Sequence, residues 1–227
     1  SYCTREAGTV HSCVQCADYR ERVPGQVHEF SGPSSGTITW SVGVTTAPRP
    51  PADHRFAQIS ERRGWRRAVG PPIEWTLESL TVAGFSEVTV FAEPGSHRPE
   101  NGYSRWIDRE APFGAWKNWK AALHQLCHDK PEANTIMLIQ DDVIFCRGLR
   151  EFLETTLWPE NCGVLSVYCS AKYSNGQGLV EVQTGPGFWG ACALIFPRES
   201  AMNLVHSPIV ETLHGNKIDN RVGKWCR

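Results

Sequence analysis

One short run constrains this chain more than any other. Ile136-Met137-Leu138-Ile139 is apolar at odd and even positions alike, and the chain then turns abruptly to Gln140-Asp141-Asp142. Successive side chains of a strand point to opposite faces, so a strand that is apolar throughout must be covered on both. Other runs share the character. Thr37 to Thr46 (TITWSVGVTT), Glu87 to Ala92 (EVTVFA), Gly163 to Cys169 (GVLSVYC) and Trp189 to Phe196 read as strands rich in β-branched and apolar residues. Helical spacing lies between them. Ile73, Leu77 and Leu80 precede a closing Gly84, and Trp116, Trp119, Leu123 and Leu126 line one face of a helix over Phe113 to Cys127. Leu149 to Leu157, Glu199 to Val205 and Lys217 to Trp225 read as further helices. Buried strands alternating with helices predict an α/β fold, a mixed but mostly parallel sheet flanked by helices.

Residues 1–30 show little periodicity, and Ser31 to Gly36 (SGPSSG) has linker composition. The sequence therefore divides into a Cys-containing N-terminal segment and linker, 1–36, and a main domain, 37–227. Cys3, Cys13 and Cys16 in that segment form one CxxC half site, which needs His11 or His28 to complete a zinc tetrahedron; free thiols are the expectation. The other cysteines are scattered through apolar runs, as small buried hydrophobes in a reducing compartment would be, so a cytoplasmic location is expected. Lys plus Arg total 23 against 24 Asp plus Glu, which removes the electrostatic case for a nucleic-acid partner. No run approaches the ~18 apolar residues of a membrane span.

Ligands of open α/β sheets bind beyond the carboxyl ends of the strands. The residues ending strands therefore matter most: Thr45 and Thr46, Glu93, and Gln140-Asp141-Asp142. Two adjacent carboxylates beside a buried strand are costly unless solvated, paired or bound to a cation. Hard oxygen donors suit Mg²⁺ or Mn²⁺; a helix N-cap followed by a surface Asp would also explain the pair. The stretch after Ala47 carries Arg49, Arg55, Arg62, Arg63, Arg66 and Arg67, either a solvated insertion or a basic loop over a phosphate-bearing ligand.

TIMLIQDDVIF (135–145) resembles the DxD-type strand of nucleotide-sugar glycosyltransferases of the GT-A fold, closest to bacterial family-2-like enzymes. Further fragments match that pattern in order over about residues 37–226. ITWSVGVTTAPR resembles the first strand and nucleotide-binding loop, TLESLTVAGF with VTVFAEPGS the first helix and second strand. GAWKNWKAAL resembles the helix whose Asn faces the nucleotide, GFWGACALIFPRESA the strand near the acceptor, and HGNKIDNRVGKW the segment that often holds the catalytic base. The resemblance implies metal-dependent transfer of a sugar from a UDP- or GDP-sugar to a glycan or other hydroxyl acceptor. It assigns Asp142 to Mn²⁺ or Mg²⁺, Asp141 to ribose or donor sugar, Thr45, Thr46, Arg49, Glu93 and Asn118 to the nucleotide, Trp189 to the acceptor, and Asp219 to the base. Each has a plainer reading: loop residues for Thr45, Thr46, Arg49 and Glu93, an exposed helical Asn118, a core Trp189, an exposed acid in a short helix for Asp219. His214 is the rival to Asp219. The first acidic position of the motif is Gln140, the Pro48 to Pro72 insertion is longer than the pattern expects, and the resemblance expects a further segment beyond Arg227. A binding module without turnover, or less readily a nucleotidyltransferase, remain the alternatives; TTAPRPP lacks the Gly-rich basic loop of the latter.

Overall fold

The computed structural model describes residues 37–49, 71–100, 104–155, 158, 162–168, 190–212 and 217–226, together with strands His11–Gln15 and Gly178–Glu181. Cys3, Cys16, His28, the arginines from Arg55 to Arg67, Trp189 and His214 lie outside them. In chain order the strands are β1 (His11–Gln15), β2 (Trp40–Thr46), β3 (Val88–Ala92), β4 (Arg105–Asp108), β5 (Thr135–Gln140), β6 (Val164–Ser166), β7 (Gly178–Glu181) and β8 (Ala193–Pro197). The helices are α1 (Pro72–Ala83), α2 (Ala115–Asp129), α3 (Leu149–Thr155), α4 (Arg198–His206) and α5 (Ile218–Trp225), with a 3₁₀ turn at Pro208–Thr212.

These strands form one sheet in the order β4-β3-β2-β5-β8-β6-β1-β7. β2, β3, β4 and β5 run parallel, and β8 runs antiparallel to both β5 and β6. The fold is mixed α/β with a mostly parallel central sheet flanked by helices, as the apolar runs predict. Both parities of β5 are used. Ile136 and Leu138 pack into a cluster with α2, α4 and α5, through Trp119, Leu123, Leu126, Leu204 and Val222. Met137 and Ile139 pack on the other face with Ile73 and Leu80 of α1 and Leu149 and Leu153 of α3.

Local sequence explains how the elements end and meet. Gly84 takes φ 104° after α1, the Gly84 N–H donates to Thr81 O at 3.1 Å, and the Phe85 N–H donates to Leu80 O at 2.9 Å. This is a Schellman stop, which favours a residue without a Cβ. Gly43 of β2 is required for close approach: a Cβ there would stand 2.7 Å from Leu126 Cδ1 and 2.9 Å from the Phe91 ring. The α2 face is set by Trp116 stacked on Trp119 at 5.7 Å, with Phe196 edge-on to Trp119 at 6.1 Å.

Four differences from the sequence reading have physical causes. β2 begins at Trp40 rather than Thr37, because Thr39 and Asn134 bond each other across the entry to β2 and β5. β8 begins at Ala193 rather than Trp189; Ala191 and Cys192 form a turn there. β4 was not legible, since Arg-Trp-Ile-Asp is four residues with charged ends and owes its state to pairing with β3. β1 likewise gains its strand state from pairing with β6 and β7.

Topology fixes where a ligand can enter. The chain steps outward from β2 to β3 to β4, then returns across β2 to lay β5 on its other side. The strand order reverses between β2 and β5, and such reversal opens a crevice beyond the carboxyl ends. In register, Thr45 lies opposite Gln140 and Thr46 opposite Ala92, so Thr46, Glu93 and Asp141 share one edge.

Candidate functional site

The crevice between β2 and β5 is closed by charge. Asp141 is buried. Its Oδ2 accepts the Thr46 hydroxyl at 2.5 Å, and its Oδ1 accepts Nη2 of Arg49. The same Nη2 stands 3.5 Å from Oδ2 of Asp142. Burial works against the charge of Arg49, but the hydrogen bond and charge of Asp141 and the charge of Asp142 outweigh it and raise its pKa. Asp142 fares worse. Its side chain is 26% exposed, and burial, against Arg49's attraction and with Asp141's repulsion, lifts its carboxyl above the usual range. Neither Asp caps a helix: both sit in a turn, and α3 begins at Leu149. The hydroxyl of Thr45 is used inside the sheet, donating to Ile139 O at 3.2 Å.

A second polar group lies at the end of β3. Glu93 is 7% exposed. Its Oε2 accepts the Phe113 N–H at 2.8 Å, while Oε1 has no hydrogen-bond partner among the described residues. Arg109, just past β4, donates from Nε to Asn118 Oδ1 at 2.9 Å, and its Cζ lies 5.2 Å from the Phe91 ring centroid and 5.4 Å from that of Phe113. Its Nη2 is buried and likewise without a partner among the described residues. Burial lowers the pKa of Arg109, and the charge of Glu93 opposes that. Asn118 is buried rather than exposed, and its Nδ2 donates to Phe91 O at 3.2 Å. Its amide therefore holds Arg109 to the end of β3. Sequence reasoning missed Arg109 because β4 was missed; a charged residue directly after a strand was the available signal.

A third group lies at the start of β8. Because β8 is antiparallel to β5, Ala193 stands opposite Ile139, and residues 190–192 reach the same edge. Gln140 bonds there twice, its N–H donating to Cys192 O at 2.7 Å and its Nε2 to Ala191 O at 3.3 Å. Asp219, in the first turn of α5, accepts the N–H groups of Gly190 and Ala191 on Oδ1 at 3.0 and 2.9 Å. Burial pushes the Cys192 thiol up to about 12, with the charges of Asp142 and Asp219 adding to the effect. Both acids thus act electrostatically on Cys192 at the start of β8.

The acidic end offers only part of a shell for a divalent cation. Among the described residues no group of three or more His, Cys, Asp or Glu side chains could hold a metal. Asp141 and Asp142 do supply hard oxygens at a strand end, and Arg49 offsets only one of their two charges. Mg²⁺ is commonly held by one or two carboxylates completed by substrate phosphates and water. The pair fits a cation of that kind, shared with a phosphate ligand, and not a cation held by protein alone.

Fold and site together define an α/β protein with a polar crevice at a strand-order reversal, the place where such sheets take their ligands. No protein-family model matches the chain, and no curated protein does. Among solved structures it is similar to the crystal structure of HddC from Yersinia pseudotuberculosis, with 14% identity, a TM-score of 0.40, and coverage of 82% of this chain and 84% of that chain. A likeness of that size identifies neither family nor activity. No helix among the described residues is long and apolar enough to cross a membrane.

Proposed function

We propose that the chain is a glycosyltransferase that takes a sugar from a nucleotide diphosphate, UDP or GDP, and moves it to an acceptor hydroxyl. The observation that supports it is the pair at the end of β3, Glu93 Oε1 and Arg109 Nη2, both buried and without a partner among the described residues. A buried polar atom without a partner is costly, and in a native protein it calls for an explanation. An acceptor and a donor at one strand end suit a base edge that offers N–H beside C=O, as uracil and guanine do. The diphosphate would then lie toward Thr46, Arg49 and Asp142.

In the reaction, the bond between the sugar carbon and the diphosphate oxygen breaks, and the acceptor oxygen takes the carbon. The leaving diphosphate gains negative charge, which Arg49 at the acidic end would help to offset. A divalent cation held by Asp142 and the phosphates would supply further charge neutralisation. Asp219 is the base in this reading: Oδ1 is fixed by two backbone N–H groups, and the carboxylate takes the acceptor proton. The same two bonds favour a second reading, in which Asp219 only anchors residues 190–191 and the protein binds nucleotide sugar without turnover.

A thermal-shift screen of UDP, GDP, ADP and CDP with Mn²⁺ tests the reading, because a ligand bound only by the native state stabilises it by mass action. UDP or GDP should raise the midpoint and the others should not. A shift without hydrolysis of any matching nucleotide sugar would select the binding-module reading, and no shift at all would remove both.

A further inference from the structure

Arg49 does more at the acidic end than line it. Both of its contacts with the aspartates run through one nitrogen, Nη2. The donors on Nε and Nη1 take no part in them, and the side chain is 40% exposed, so the guanidinium can be reached from the crevice. A guanidinium is always charged and carries five N–H donors, so it can serve carboxylate and phosphate alike. It also stands between the two carboxylates that would hold a cation, bonded to Oδ1 of Asp141 and 3.5 Å from Oδ2 of Asp142. A divalent cation and Arg49 cannot share those oxygens without strong repulsion in a half-buried site.

We propose that Arg49 is the resident counter-cation of the Asp141–Asp142 pair, and that it admits a divalent cation only together with a nucleotide diphosphate, whose phosphates draw the guanidinium away. The occupant rests on the function proposed above; the exclusion of metal by Arg49 does not. In the ligand-free protein, one positive charge against two negative ones leaves the pair undercompensated. A bare cation must still displace the guanidinium from its carboxylate partners. A diphosphate removes that obstacle by giving Arg49 an anionic partner and by bringing the oxygens that complete the cation's shell. Binding of metal and nucleotide is therefore coupled, and each must raise the affinity of the other by the same factor.

The experiment is a Mn²⁺ titration followed by electron paramagnetic resonance of the free ion, with metal alone and with saturating UDP or GDP. For the wild type, nucleotide should tighten Mn²⁺ by at least about tenfold, and calorimetry should find nucleotide tightened by Mn²⁺ to the same extent. Arg49→Gln should bind Mn²⁺ alone at least about tenfold more tightly than the wild type, the change expected when an ion-paired competitor is removed. Arg49→Lys keeps the competing charge and should show no such gain. Adding Asp142→Asn to Arg49→Gln should abolish it. Wild-type protein that holds Mn²⁺ as tightly without nucleotide as with it overturns the proposal without needing any variant. Equal Mn²⁺ binding by wild type and folded Arg49→Gln overturns it as well. If no nucleotide binds under any condition, the proposed function fails, while a gain of Mn²⁺ binding in Arg49→Gln still supports Arg49 as the excluding cation.

Discussion

Two arginine–carboxylate arrangements flank the ends of β2 and β3, and they are built differently. At the β5 side, both oxygens of Asp141 have partners, Thr46 and Arg49, and the arrangement is closed on itself. At the β3 side, Glu93 and Arg109 each keep one buried atom without a partner among the described residues. A closed arrangement contributes to the fold whether or not a ligand is present. An open one costs stability until something fills it, and such cost is characteristic of functional sites. Under the proposed function, ligand recognition falls to the end of β3 and charge control to the end of β5.

Asp219 lies outside both arrangements, so its variant separates turnover from recognition and carries the largest expected effect. Asp219→Asn keeps an oxygen to accept the Gly190 and Ala191 N–H groups but cannot take a proton. Turnover of the matching nucleotide sugar should fall by ~10²-fold or more, with nucleotide affinity little changed. Near-normal rates would return Asp219 to a purely structural role, and a large loss of affinity would move it to the donor site.

Next in size is the open arrangement. Glu93→Gln preserves an acceptor for the Phe113 N–H and turns a donor toward the place where Oε1 was free. Losing a hydrogen bond to a charged group costs about 1.5 kcal/mol, roughly tenfold in nucleotide affinity by calorimetry. The unfolding midpoint should hardly move. A large drop in that midpoint with unchanged affinity would reverse the comparison.

The closed arrangement should behave in the opposite way. Thr46→Val removes one partner of a buried carboxylate and should lower unfolding free energy by about 1 kcal/mol in urea titration. Asp142→Asn has the other sign. Burial raises the Asp142 carboxyl pKa in the folded protein, so the stability this group favours is present at low pH and lost as pH rises through the raised value. The variant should therefore melt at or above the wild-type temperature at pH 7.5 in the absence of ligand. The two proteins should converge at acid pH. A wild type that outlasts the variant at neutral pH would show that the charge is better compensated than the geometry indicates.

The smallest expected effect is at Cys192. Its thiol is held at about 12 first by burial and then by the charges of Asp142 and Asp219. Neutralising either acid should bring that value down and speed alkylation at alkaline pH by about threefold, read by mass spectrometry of the peptide carrying Cys192. An unchanged rate in both Asn variants would separate Cys192 from those acids.

Much of this site was legible because the central strands are. The apolar runs of β2, β3 and β5 mark where each strand ends, and parallel strands put Thr46, Glu93 and Asp141 on one edge. The helix spacing likewise gave the Trp116–Leu126 face that packs on them. What the sequence withheld depends on pairing between distant segments. Arg109 follows a strand too short and too charged to be read alone. The closeness of Arg49 to the aspartates spans more than ninety residues and follows from β2 lying beside β5. The antiparallel entry of β8, which brings Cys192 and Asp219 to the edge, follows from sheet order that no local pattern encodes. Asn118 was a candidate only through the resemblance, which turns its amide to the nucleotide; the packing of α2 on β3 turns it inward to Phe91 and Arg109.

The central claim is that this edge recognises a nucleotide diphosphate through the open arrangement at β3. Its most direct test is calorimetric titration of UDP and of GDP, with Mn²⁺ present, into the wild type and into Glu93→Gln. One of the two nucleotides should bind the wild type, and the variant should bind it roughly tenfold more weakly. Binding of neither nucleotide across the millimolar range, or equal binding by both proteins, would contradict the account.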